Sequence, residues 1–134
     1  MSKAILLSIH PKWAEKIYSG EKRVEWRKTA PSNPFIDQIP IFLYETAPVK
    51  KITGLIYVDR TKRYSIGEVG GPVYSWGGVP YKDLEKYAGD KDLFAWMIRG
   101  SWFMKTYNGK EFLTLADFGL KRAPQSWQYV EVDV

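Results

Sequence analysis

The chain predicts an α+β fold, a small β-barrel of five to seven mixed strands with two or three short helices. Three observations lead there. Strand-forming runs recur without any repeating βα alternation, which argues against a doubly wound sheet. Two stretches, residues 12–19 and 80–87, read as helices. Gly54, in the middle of the longest strand run, supplies the bulge or sharp bend that closing a small barrel needs. At 134 residues the chain suits a single domain spanning 1–134, long enough to bury about two-thirds of its unfolded surface.

In chain order, residues 4–10 form an apolar run rich in strand formers, the expected first and deeply buried strand. Pro11 then suits a first helical turn. Trp13, Ala14, Ile17 and Tyr18 recur on one helical face, and Gly20 sits where a C-terminal cap is needed. Residues 29–34 carry two prolines, a turn. Residues 38–46 and 50–60 are the next strands, Pro40 confining the start of the first to an edge or an irregular pairing. Residues 64–80 hold five glycines and two prolines and read as an irregular aromatic loop, either a binding lid or a surface connection. A short helix over 80–87 buries Leu84 and Tyr87 and stops at Gly89. Residues 93–99 and 102–107 read as two strands, with Asn108-Gly109 as a type I′ turn leading to a strand at 111–113. Residues 115–119 make one helical turn, and 124–132 the final strand, with Trp127, Tyr129 and Glu131 on one face.

Composition narrows the chemistry. Twenty Lys and Arg against fifteen Asp and Glu give a net charge of +5, a bias toward anionic partners such as nucleic acid. Aromatic residues make up 16% of the chain, enough for a heavily aromatic core or for faces on which planar ligands stack. With no cysteine and one histidine, His10, disulfides, thiolate chemistry and His-rich metal sites drop out, and neither a metal nor a cofactor is expected. The glycines lack the spacing of a phosphate loop, and no zinc-protease, serine-elbow or calcium-loop motif occurs. The apolar run near the N-terminus is too brief for a signal core or a membrane span, so a cytoplasmic protein without membrane association is expected.

Residues 20–28 stand apart, with six charges of both signs and a tryptophan in what reads as a strand. Alternation sends Val24 and Trp26 toward a core and Arg23, Glu25 and Arg27 the other way. Strict alternation also puts Lys22 on the face opposite Glu25 and Arg27. Lys22 joins them only if it sits in the turn before the strand. The set fits either a solvated face with weak cross-strand ion pairs or the wall of a pocket. Trp13, Trp26, Trp96 and Trp102 are expected in the core, and Ser8 and His10 as hydrogen bonders at a strand end.

Four stretches together resemble the ASCH domain family of the PUA-like superfamily. They are residues 5–11 with the helix that follows, the strand motif of Gly20, Lys22, Glu25 and Arg27, the segment with Tyr44, Thr46, Pro48, Val49, Lys50, Ile52 and Gly54, and the segment Pro124, Gln125, Ser126, Trp127 and Tyr129. The resemblance spans nearly the whole chain. It implies a PUA-like barrel with a cleft beside residues 20–28, where RNA, a single-stranded nucleic acid or a modified nucleobase or nucleotide would bind. The expected contact residues are Ser8, Lys12, Lys22, Glu25, Arg27, Tyr44, Thr46, Trp76, Gln125 and Ser126. Arg27 offers a planar fork, Lys22 a mobile charge, Glu25 an acceptor for a base amino group, and Trp76 or Tyr44 a stacking face.

The same branch contains amidohydrolases of acetylated cytidine that resemble this chain and use a Lys and, three residues later, a Thr. Lys22 matches the Lys, but Glu25 stands at the Thr position, and a carboxylate does not replace an alkoxide. The alternative reading is therefore an acetylcytidine amidohydrolase-like hydrolase of modified nucleosides, or a ribonuclease, in which Lys22 and Glu25 act as catalytic acid and base through water. A protein-binding adaptor has no residue-level support in the sequence.

Overall fold

The structure, a computed structural model, describes residues 2–104 and 113–132. Among these, β1 (Ser2–Ile9), α1 (Pro11–Ser19), β2 (Val24–Arg27), β3 (Ile41–Glu45), β4 (Lys51–Tyr64), α2 (Gly71–Gly77), α3 (Tyr81–Ala88), β5 (Leu93–Phe103) and β6 (Trp127–Val132) follow in order, with 3-10 turns at Ile36–Gln38, Ile66–Glu68 and Leu115–Phe118. The six strands form one curled mixed sheet, a half-barrel, in the order β2-β5-β4-β3-β1-β6. Only β1 and β3 pair in parallel. The α+β barrel class expected from sequence is the one observed.

β1 is central and its run from Ala4 to Ile9 is buried throughout, as expected of a strand covered on both faces. Ile5, Leu7 and Ile9 join Ile41, Leu43, Ile56, Trp96 and the buried side of α1 in one cluster. Ala4 and Leu6 look the other way, toward Phe42, Val130 and Phe118. A third cluster packs α2 and α3 on β2 and β5 through Val24, Trp26, Leu84 and Ala95.

The first helix forms where its signals place it. The His10 ring accepts from Lys12 N at 3.1 Å as the N-cap, and Gly20, at φ 86°, closes the other end by donating to Ile17 O. Gly54 sits opposite the register shift between β3 and β4, as the barrel argument required. A Cβ there would run into Trp102 O and the Tyr18 hydroxyl, so glycine is needed for close approach.

Four expectations change. Residues 64–80 are not an irregular loop. They carry a 3-10 turn, capped reciprocally by Ser65 and Glu68, and then α2. Glycine content hid this helix, which packing on Trp26 and Val24 stabilises in place of intrinsic propensity. Residues 93–103 form one strand, since Gly100 pairs with Tyr57 inside an irregular stretch instead of ending the run. Trp102 is 51% exposed and Tyr87 41% exposed, so neither is core, while Trp26 and Trp96 are buried and Trp13 is half-buried. β3 starts only at Ile41, and β4 runs on to Tyr64. The Asn108-Gly109 turn lies outside the described residues, although Leu113 does bridge to Ile52.

Candidate functional site

Lys22 lies in the turn before β2, the position its membership required. The left-handed Gly20 turns the chain, Lys22 N donates to Lys16 O at 3.0 Å, and the side chain folds inward until it is 1% exposed. Its Nζ donates to Gly77 O at the end of α2, lies 3.3 Å from Glu25 Oε1, and stands 5.2 Å from the centre of the Trp13 ring. Burial pushes the Lys22 pKa below its ordinary value. The Glu25 carboxylate opposes that shift, and the charges of Arg27 and Lys16 add to it.

Glu25 points away from Val24 and Trp26, as alternation predicts. It does not reach bulk water, because the far face of β2 looks into the half-barrel, and Glu25 is 5% exposed. Its Oε2 accepts from Arg27 Nε at 2.9 Å and Nη2 at 2.8 Å. Arg27 also donates from Nη2 to Ser8 O at 2.6 Å and from Nη1 to Ser126 Oγ at 3.2 Å. One guanidinium thus crosses the open seam between edge strand β2 and the β1/β6 side. Ser8 completes the tie through Oγ to Pro124 O at 2.7 Å and through N to Ser126 O at 2.9 Å. Glu25 is the partner of both cations, in a place where any of the three charges alone would be costly.

Beside this cluster opens a cavity of about 300 Å³. Glu25 and Arg27 form part of its wall, Trp13, Trp26 and Tyr87 are its aromatic sides, and Asp83 supplies a carboxylate from α3. Burial raises the Tyr87 pKa. Two lysines stand over its aromatic walls, Lys12 Nζ 4.7 Å from the centre of the Trp13 ring and Lys28 Nζ 4.8 Å from that of Tyr87. The arrangement offers planar apolar surface, carboxylate acceptors and two lysines beside the aromatic walls.

Of the residues expected from sequence, Ser8, Lys22, Glu25, Arg27 and Ser126 come together, and Lys12 stands over the Trp13 wall of the cavity. Gln125 is exposed in the segment that Ser8 fastens. Thr46 begins the turn after β3, beside the end of β1, its N donating to Ile9 O at 2.9 Å. Tyr44 packs with the Phe42 cluster, on the sheet face opposite Ile41 and Leu43, and is not brought to the cavity. Trp76 is 43% exposed on α2, 6.0 Å from the Arg23 guanidinium, and does not line the cavity. The aromatic walls are instead Trp13 and Trp26, which the sequence placed in the core, and Tyr87. Asp83 and Tyr87 had a legible signal, an acid and an aromatic four apart on one helix face. Among the described residues no group of three His, Asp or Glu side chains is placed to hold a metal, and no helix is long and apolar enough to cross a membrane.

A curled α+β half-barrel with a charged cluster at its seam defines the class. Residues 7–96 match the model of the ASCH domain, and the chain belongs to the ASCH family, which is generally thought to bind RNA. Among solved structures it is similar to an ASCH protein from Zymomonas mobilis, at 22% identity and a TM-score of 0.79, covering 96% of this chain and 87% of that one. A tyrosine-to-phenylalanine variant of that protein superposes at 0.80, with 22% identity over 97% of this chain and 91% of that one. A serine-to-alanine variant gives 0.79, with 20% identity over 96% and 88%. The likeness is one of fold. No curated protein matches the chain.

Proposed function

We propose that this protein binds RNA by taking one base, ordinary or modified, into the cavity beside β2. The observation that carries this reading is the pairing of aromatic walls with the Glu25 and Asp83 carboxylates in a volume of about 300 Å³. That volume is at the lower end of the roughly 300–1,000 Å³ typical of small-molecule sites, the size for a nucleoside and not for an extended strand. Aromatic sides stack on any base, and a carboxylate accepts from an amino edge. Lys12 and Lys28 beside these walls are placed for the phosphates on either side of the base.

Arg27 serves this site mainly as a strut, because four of its contacts are already made within the protein. Lys22 supports the carboxylate from behind the cavity wall. The test is titration of labelled single-stranded RNA and of the four nucleosides at two salt concentrations. Saturable nucleoside binding, with RNA affinity that falls as salt rises, is the expected result. RNA binding absent at low salt, or indifferent to salt, overturns the reading.

The second reading, hydrolysis of acylated cytidines or of RNA, is favoured by one observation. Lys22 is held below its ordinary pKa at 3.3 Å from a carboxylate, a pairing suited to proton transfer. Turnover by the wild type that disappears in Lys22→Ala and Glu25→Gln supports it, and turnover kept by both variants removes it.

A further inference from the structure

The face of β4 and β5 opposite α1 carries aromatic surface that neither the core nor the cavity uses. Ser101 Oγ donates to Ile17 O of α1, so Ser101 lies on the helix face, and its neighbours Gly100 and Trp102 lie on the other. Tyr57, registered with Gly100, shares that outer face. One end of it is covered by the Leu115–Phe118 turn through Leu55 and Phe42, and the other by α2 and α3 through Ala95 and Met97. Between these covers, among the described residues, Tyr57 and Gly100 are partly buried and Trp102 is 51% exposed.

The indole is placed flat by its neighbours. A Cβ at position 100 would lie 2.8, 3.3 and 3.4 Å from three consecutive atoms of its six-membered ring, so one side of the ring rests on Gly100. Tyr57 packs against it in a T-shaped pair at 5.7 Å and 85°. Tyr57 is steadied in turn by the Arg99 guanidinium 5.4 Å away, and Arg99 is anchored to Asp37 O at 2.9 Å. A half-exposed indole backed by Gly100 and held by Tyr57 offers a surface for stacking.

Cations line the way from it. Arg60 is registered with Met97 and donates to its Sδ at 3.4 Å, and Lys62 is registered with Ala95, which places both on the same outer face. Arg60, Lys62 and Arg99 stand against one acid of this stretch, Asp59. An aromatic ring with cations beside it and further along the same face suits a stacked base with phosphates adjoining it.

We propose that the Trp102 platform is a second contact for single-stranded RNA. A base stacks on the half-exposed indole, and the adjoining phosphates run along Arg99, Arg60 and Lys62. This contact is independent of the cavity and serves RNA too long for the cavity alone.

The experiment compares wild type, Trp102→Ala and Arg60→Ala/Lys62→Ala for binding to a 12-nucleotide single-stranded RNA and to a mononucleotide, with thermal melts confirming the fold of each. Trp102→Ala is expected to weaken the 12-mer about 5- to 150-fold, the usual range for losing one stacked base, and to leave the mononucleotide unchanged. The double variant is expected to lower the salt slope for the 12-mer by about 1.4. A folded Trp102→Ala that binds the 12-mer as wild type does overturns the proposal. So does a self-association that Trp102→Ala abolishes while RNA affinity stays the same, because the strip is then a protein interface. Failure of the cavity reading looks different, since it appears as absent mononucleotide binding in the wild type.

Discussion

Arg27 and Ser8 belong to strands at opposite sides of the sheet's open seam, and yet the Arg27 guanidinium donates to the Ser8 carbonyl at 2.6 Å. The same group holds Glu25 at 2.8 Å, so one side chain takes part both in closing the half-barrel and, with Lys22, in neutralising its buried carboxylate.

Arg27→Met therefore removes a strut and strands a charge together. Breaking a buried pair costs about 3–5 kcal/mol, and because Lys22 remains beside Glu25 the loss is expected at the low end. Arg27→Met/Glu25→Gln should lose less than the sum of the single changes. Urea midpoints for the four proteins give the coupling, and strict additivity would mean that the pair acts independently.

Lys22 gives the stability curve an alkaline rise. Its native pKa lies below the ordinary 10.5, so between the two values the unfolded chain holds more protons than the native one. Stability then rises with pH across that window and is level at its lower value once pH lies below the native pKa, where both states hold the proton. Lys22→Met is expected to flatten this rise. Denaturant midpoints at successive pH values up to 10.5 measure it.

Tyr18 works in the opposite direction. Its hydroxyl is buried and bonded to Thr53 Oγ1 at 2.8 Å, and burial raises its pKa far above 10.0. Above about pH 10 the unfolded chain gives up this proton while the native one keeps it, so stability falls. Tyr18→Phe should remove part of that fall without touching the rise due to Lys22. The same midpoints taken past pH 10 separate the two groups.

Gly77 sits where α2 meets the site. A Cβ there would overlap the Trp26 indole nitrogen and disturb the carbonyl that receives Lys22. Gly77→Ala is expected to cost about 1–3 kcal/mol as an overpacked contact, visible as a lower unfolding midpoint. An unchanged midpoint would mean that α2 shifts freely.

At the cavity, Tyr87→Ala should weaken nucleoside binding about 5- to 150-fold, with Tyr87→Phe close to wild type, because a stacking wall needs the ring and not the hydroxyl. Equal losses in both would assign the hydroxyl a direct contact. Equilibrium titration distinguishes these outcomes.

Much of this was legible in the residues. The Gly20 cap and the shared face of Glu25 and Arg27 were legible because helix capping and alternation are local rules, whereas alternation alone put Lys22 on the opposite face and only its place in the turn before β2 brings it to them. Arg27 binding to Ser8 and Ser126 was not legible as geometry, since it joins parts of the chain that only the curl of the sheet brings together. The walls of the cavity were missed for a related reason. Apolar spacing marks Trp13 as facing inward, but it does not tell a packed interior from a recess lined on one side. Helix α2 was hidden because its glycines and proline argue against a helix that tertiary contacts nevertheless impose. Trp102 was assigned to the core on hydrophobicity alone, and the Gly100 beneath it explains why it lies on the surface instead.

The seam contact also orders events in time. Arg27 and Ser126 are 99 residues apart, and β1, which supplies Ser8 to the same contact, must gather both β3 and β6. Such distant closures are entropically expensive and come late, so the folding chain is expected to carry Glu25 and Arg27 half-satisfied until residues 124–126 dock. A nascent or partly assembled molecule would thus present a hydrated, unfinished seam. The capacity to hold a ligand would appear as one of the last steps of maturation, and not gradually with the rest of the sheet.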